Sequence, residues 1–170
     1  MKTEGTVRLA TSEDLDEIVA LWSHYIRSHA GNPAYRQLPR DAVAVRRKVF
    51  ADLIDGPDSC VFVVESPHGG LAGMLSCFVE CNYPYLHPPK YGRLQTPFVR
   101  PQDRKKGNLR RMLGAAYRWA RQLELTEVRL YTGAEAERSN QTAEDLGFAA
   151  FEIVRRKTID WSRPPEQQVD

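Results

Sequence analysis

The sequence is short of the residues that staple a protein or anchor it in a membrane. It has three cysteines, Cys60, Cys77 and Cys81. The number is odd, and neither a Cys-x-x-Cys pair nor a Cys/His spacing suited to zinc occurs. That argues against a disulfide scaffold and a structural metal, and for a reducing cytoplasm. Its apolar runs, such as residues 60–64 and 148–151, fall far short of the ~20 residues a membrane span needs. Residues 1–6 hold no apolar stretch, so no secretory leader is expected. The phosphate-binding spacings GxxxxGK[ST] and GxGxxG are both missing. Acid is missing from one stretch in particular. Residues 100–121 contain eight cations against the single acid Asp103.

That last absence gives meaning to an otherwise bland net charge of +2. The segment carries +7, so the other residues carry −5. Such a concentration is either a solvated helix face or a surface that meets an anion. With 170 residues, 42% hydrophobic and 27% charged, the chain has the size and composition of one globular domain with a core of its own. The domain is expected over residues 1–161, followed by a flexible polar tail at 162–170 containing Pro164-Pro165.

Hydrophobic periodicity orders the elements. A short strand at 6–10 leads into a helix capped at Thr11, with Asp14 three residues on and Leu15, Ile18, Val19, Trp22 and Tyr25 on one stripe. A second helix over 39–54 turns Val45, Val49, Phe50, Leu53 and Ile54 inward. A hairpin follows, with arms at 60–65 and 71–81 around Ser66-Pro67-His68-Gly69-Gly70. On the longer arm Met74, Ser76, Phe78 and Glu80 share one face. Residues 82–91 contain three tyrosines, His87 and three prolines. This stiff aromatic loop suits a pocket wall and a homodimer contact equally. The strand at 92–99 carries Pro97, which belongs at a bulge or an edge. An amphipathic helix over 107–123, a strand at 127–132, a helix at 135–146 closed by Gly147 and a last strand at 151–159 complete the order βααβββαβαβ. This is one α/β (α+β) domain with a mixed, mostly antiparallel sheet flanked by helices.

The strand–turn–helix junction at 98–111 is the strongest candidate site. Free backbone N–H groups and the positive end of a helix already favour an anion there. Lys105, Lys106 and the nearby arginines add charge-assisted bonds, and Gly107 lets a phosphate approach the backbone.

The run Val99-x-Pro101-x-x-Arg104-x-x-Gly107 resembles the acetyl-CoA motif of the GNAT superfamily of N-acyltransferases, Val-x-Pro-x-x-Arg-x-x-Gly-x-Gly/Ala. Glu144-Asp145-Leu146-Gly147-Phe148 is similar to that family's Glu-Lys-Leu-Gly-Phe before its last strand. The element order agrees from residue 6 to 159. The resemblance implies two splayed central strands with acetyl-CoA as cosubstrate in the gap. Phe98 and Val99 would hold the pantetheine, and the Val99 N–H would serve the oxyanion. The backbone of Arg104, Lys105, Lys106, Gly107, Asn108, Leu109 and Arg110 would hold the pyrophosphate.

The sequence also departs from the family. The motif's second small residue is Leu109. The family's frequent tyrosine acid falls on Ala143, its frequent asparagine on Ala136 with Asn140 one turn along, and its carboxylate base on Gln95. Asn140 is therefore taken as the cofactor contact. Glu80 is taken as the base, on the ground that a carboxylate beside aromatic surface gains basicity. Tyr131 is the accompanying candidate facing the cofactor slot.

The expected activity is acetyl transfer to a primary amine of a small molecule or peptide, with no metal and no membrane partner. A catalytically degenerate CoA sensor is one alternative. A nucleic-acid (tRNA) binder working through the basic helix is the other, with Tyr117 and Trp119 as its interleaved aromatics.

Overall fold

The computed structural model describes residues 5–168. Strand β1 (Val7–Leu9) enters a 3-10 turn (Ser12–Asp14) and helix α1 (Leu15–Ser28). Asp14 makes this corner. Its carboxylate accepts from the Thr11 N–H at 2.8 Å and holds the Arg8 guanidinium at 2.7 and 2.9 Å. A second 3-10 turn (Pro33–Tyr35) leads to helix α2 (Ala42–Asp55). Strands β2 (Ser59–Glu65), β3 (Leu71–Cys81) and β4 (Lys90–Val99) form an antiparallel meander. A 3-10 turn (Pro101–Asp103), helix α3 (Asn108–Gln122), strand β5 (Val128–Leu130) and helix α4 (Glu137–Asp145) follow.

The five strands lie in sequence order, antiparallel except for the parallel pair β4–β5. Side-chain alternation divides the core in two. Cys60, Phe62, Leu75, Cys77, Leu94 and Val99 pack under α3 with Met112, Leu113 and Trp119. Val61, Val63, Met74 and Phe98 pack under α1 and α2 with Ile18, Leu21, Trp22 and Phe50.

Two expectations on packing fail. Val45 is exposed on α2, because that helix presses on the sheet with Phe50 and, less fully, Leu53 and Ile54. Residues 149–160 form no strand among the described residues. β5 is only three residues long and offers few ladder bonds to offset the ordering of another segment. Phe151, Ile153 and Val154 stay exposed, with the Phe151 ring 5.1 Å from the Arg129 guanidinium. Of the expected tail, 165–168 make a 3-10 turn and 169–170 lie outside the described residues.

Candidate active site

The central feature is a fork between β4 and β5. Their rungs are Gly92↔Val128, Arg93↔Arg129 and Leu94↔Leu130, and there they stop. β4 continues to Val99 without β5. Beyond the last rung it bulges. Thr96 has φ +51°, and the ladder to β3 shifts from Ser76↔Gln95 to Met74↔Phe98. Pro97 occupies this bulge, as its missing N–H requires.

The extra residue reverses which way the strand faces. Before the bulge, Tyr91, Arg93 and Gln95 face the α1/α2 side; after it, Phe98 does, while Val99 turns to α3. The Arg100 N–H donates to Ala72 O at 2.8 Å, toward β3. By alternation, the N–H and carbonyl of Val99 point into the gap that β5 has left. Arg104 Nε donates to that carbonyl at 3.0 Å, at the far end of the gap. β3 supports the arrangement with Gly73, since a side chain there would meet the Phe98 carbonyl oxygen at 2.5 Å.

An anion cradle follows. The Arg104 N–H returns to Pro101 O, and the next bonded amide is Arg111 N–H to Gly107 O. The six amides from Lys105 to Arg110 have no hydrogen-bond partner among the described residues. Left-handed Lys105 (φ +60°) and Gly107 (φ +77°) shape the turn. The turn is pinned from below. Asn108 is buried and donates to Asp103 O at 2.9 Å, and buried Asp103 pairs with Lys106 at 2.9 Å. Leu109 points toward the core under α3 and leaves its amide open, so it does not block the cradle. Open amides at a helix start flanked by cations are the setting that favours a phosphate group.

Glu80 and Tyr131 fall into one cluster, though not the one expected. Glu80 lies opposite Tyr91 on the ladder, eight residues and roughly 25 Å along the strand from Val99. It pairs with Arg93 at 3.1 Å, so its surroundings are not the bare aromatic surface expected of it. Tyr131 follows the last rung and therefore stands at the fork, with the Arg93 guanidinium 3.1 Å over its ring. Burial first, then hydrogen bonding with Tyr131, pushes the Tyr91 phenol up to about 12.

Asn140 is committed to its own chain. It accepts from the Thr132 hydroxyl and donates to Gly133 O and Ala134 O, fixing the loop after β5. These bonds hold its side chain in place at the end of β5. The aromatic loop stands open, with Tyr83 stacked on Tyr85 and both exposed. Trp119 is a core residue, which leaves Tyr117 as the exposed aromatic beside Arg118. Cys77 faces Cys60 across β2–β3, and that thiol together with burial pushes it well above the ordinary thiol range. Among the described residues no group of three or more His, Cys, Asp or Glu is placed to hold a metal ion, and no helix is long and apolar enough to cross a membrane.

Sequence reasoning missed the wall opposite the fork. Arg46 on α2 lies 4.4 Å over the buried ring of Phe50 and donates from Nη2 to Gln95 Oε1 at 3.2 Å. Tyr25 meets Tyr35 at 6.1 Å and Phe98 at 6.5 Å, edge-on in both cases. The available signal was the spacing of Arg46 and Phe50, four apart on one helix face.

Comparison with known proteins gives these geometries a context. The family model described as "Acetyltransferase (GNAT) family" matches residues 15–148. Among solved structures, AAC(6')-Iy in complex with the bisubstrate analog CoA-S-monomethyl-acetylneamine is similar, with TM-score 0.73 and 18% identity. That match covers 93% of this chain and 99% of the other. AAC(6')-IG from Acinetobacter haemolyticus has TM-score 0.71 and 20% identity, covering 91% and 99%. A predicted acetyltransferase from Clostridium acetobutylicum with acetyl-CoA has TM-score 0.74 and 12% identity, covering 91% and 96%. No curated protein matches the sequence.

Proposed function

The chain belongs to the GNAT acetyltransferase family, and from that premise we propose that it transfers the acetyl group of acetyl-CoA to a primary amine of a small molecule or peptide. One observation carries the reading: the six amides of residues 105–110, without a hydrogen-bond partner among the described residues, follow the end of β4 beyond the point where β5 has left it. In this reading they receive the pyrophosphate, with Arg104 and the lysines adding charge. Phe98 and Val99 line the pantetheine arm, and the inward N–H of Val99, expected at the oxyanion, instead bonds an amide of the arm, because the fork where the thioester end would lie is several residues back along β4. The arm then runs toward the fork, so the thioester end lies near Gln95 and Tyr131.

Bound acetyl-CoA supplies the activated acyl carbon. The amine nitrogen bonds to that carbon as the carbon–sulfur bond breaks. The ammonium proton leaves through water toward Glu80, the carboxylate of the tyrosine cluster, and the departing thiolate takes a proton from Tyr131 or water. Positioning supplies much of the rate.

The test is calorimetric titration with acetyl-CoA, followed by thiol release over an amine panel. Binding by the wild type and its loss in Gly107→Val support the cradle. No binding by the wild type overturns the reading, and equal binding by the variant overturns the placement. An unchanged rate in Glu80→Gln removes Glu80 as the base.

Gln95 and Ala143, which stand where acid–base groups are frequent in the family, favour a second reading as a CoA sensor. That reading expects binding without thiol release. A homodimer belongs to the proposal as well, supported by the exposure of Phe151, Ile153 and Val154, with β5 last in the sheet order among the described residues. Light scattering on the eluting protein tests it, and a monomer mass at working concentration rejects it.

A further inference from the structure

Arg46 is an unusual residue for the inside of an amine site. Its Nε is shielded from solvent and has no hydrogen-bond partner among the described residues. Its Nη2 donates to a neutral amide, Gln95 Oε1. The ionisable groups acting on it are the Tyr25 and Tyr35 phenols. The other packed neighbours are Phe50 beneath it and, beyond Tyr25, Phe98. No carboxylate pairs with it among the described residues. Burial accordingly pushes the guanidinium below its ordinary value. A half-buried guanidinium with unused donors is costly unless something anionic completes it.

Its location gives the missing partner a place. Gln95 is the first β4 residue past the last rung, so Arg46 stands beside the fork on the α1/α2 face. Resting on the proposed acetyl transfer, we infer that Arg46 is the anchor for an anionic group of the acceptor. The acceptor would be a primary amine that also carries a carboxylate or phosphate, clamped by the guanidinium fork while its nitrogen faces the thioester end of the gap. Phe50 below and Tyr25 and Tyr35 at the side would exclude water from that clamp. A polycationic acceptor meets Arg46 as a like charge and is disfavoured.

The test uses the full chain saturated with CoA. Matched short primary amines ending in carboxylate, phosphonate, hydroxyl or a second ammonium are titrated by calorimetry, with Arg46→Gln and Arg46→Lys in parallel. The carboxylate or phosphonate member is expected to bind at least about tenfold more tightly than the hydroxyl and diamine members, as one charge-assisted bond allows. Arg46→Gln abolishes the difference, and Arg46→Lys keeps part of it. Which anion binds better identifies the acceptor chemistry.

Equal or tighter binding of the diamine overturns the inference, as does a preference that survives Arg46→Gln in a variant that still binds CoA. If CoA binds and no amine does, the inference falls while the cofactor reading stands. If CoA itself fails to bind, the acetyltransferase reading falls first.

Discussion

Gln95 accepts a hydrogen bond from Arg46, at 3.2 Å, one residue past the point where β4 and β5 part. The pair joins a helix to the fork and places a cation beside the position where the family's carboxylate would stand. It also fixes what the family's frequent carboxylate would do here. In Gln95→Glu the introduced acid would pair with Arg46 and be held below the usual carboxylate range. The expected outcome is little gain in kcat and a loss of any preference for anionic acceptors. Adding Arg46→Gln should free the acid and raise the acid limb of the pH–rate profile. The pH dependence of thiol release for both variants checks this.

Gly107 has φ +77° in open space, where an added side chain would meet only Arg111 Nη1 at 3.6 Å. The cost of Gly107→Ala is therefore conformational, about 1–2 kcal/mol, with no new contact to relieve. A lowered unfolding midpoint together with weaker acetyl-CoA binding is expected. Thermal melts with and without cofactor measure both.

Gly73 presents the opposite case. Its backbone is unremarkable, but a Cβ would lie 2.5 Å from the Phe98 carbonyl oxygen. Gly73→Ala must displace β4 beside the gap, at an overpacking cost of about 1–3 kcal/mol. Cofactor affinity should fall more than for a core substitution of equal cost away from β4, such as Ile18→Val. Denaturant unfolding paired with calorimetry makes that comparison.

Tyr131 stands at the fork under Arg93, and its phenol is the candidate acid. Tyr131→Phe should lower kcat by roughly 10²-fold, the lower range for a lost proton donor, with the KM for acetyl-CoA unchanged. A KM effect alone would assign the ring to packing.

Asp14 ties β1 to α1 through Arg8. Hydrogen bonds from Arg8 hold its carboxyl below the ordinary 3.8. The folded form thus binds its proton less readily than the unfolded chain. The resulting stability is present above the unfolded value and is lost as pH falls through the folded one. Arg8→Ala should reduce that acid-side dependence in melts recorded between neutral pH and pH below 3.8, leaving the part due to the Thr11 N–H.

Much of this was legible from local patterns. β3 begins and ends where alternation and the Gly69-Gly70 turn place it. Pro97 sits in a bulge because a missing N–H leaves it few other places. The cradle was readable because cations, Gly107 and a helix start are contiguous in sequence.

Arg46 was not readable in the same way. Its partner is 49 residues away on another element, and no spacing encodes that meeting. Glu80 was correctly placed on its strand face, but its neighbour Arg93 comes from the facing strand, which periodicity alone does not identify. The final strand was expected over 151–159 from its hydrophobic pattern. Alternation describes one strand's faces and says nothing of whether a long enough partner edge exists.

The bulge at Thr96 and Pro97 makes the length of β4 a functional quantity. Deleting one residue there would not merely shorten a strand. It would invert everything after it, sending Phe98 under α3 and Val99 under α1, and turning the inward amide back against β3. Insertions and deletions at this point should therefore be lethal to the site, even where substitutions are tolerated.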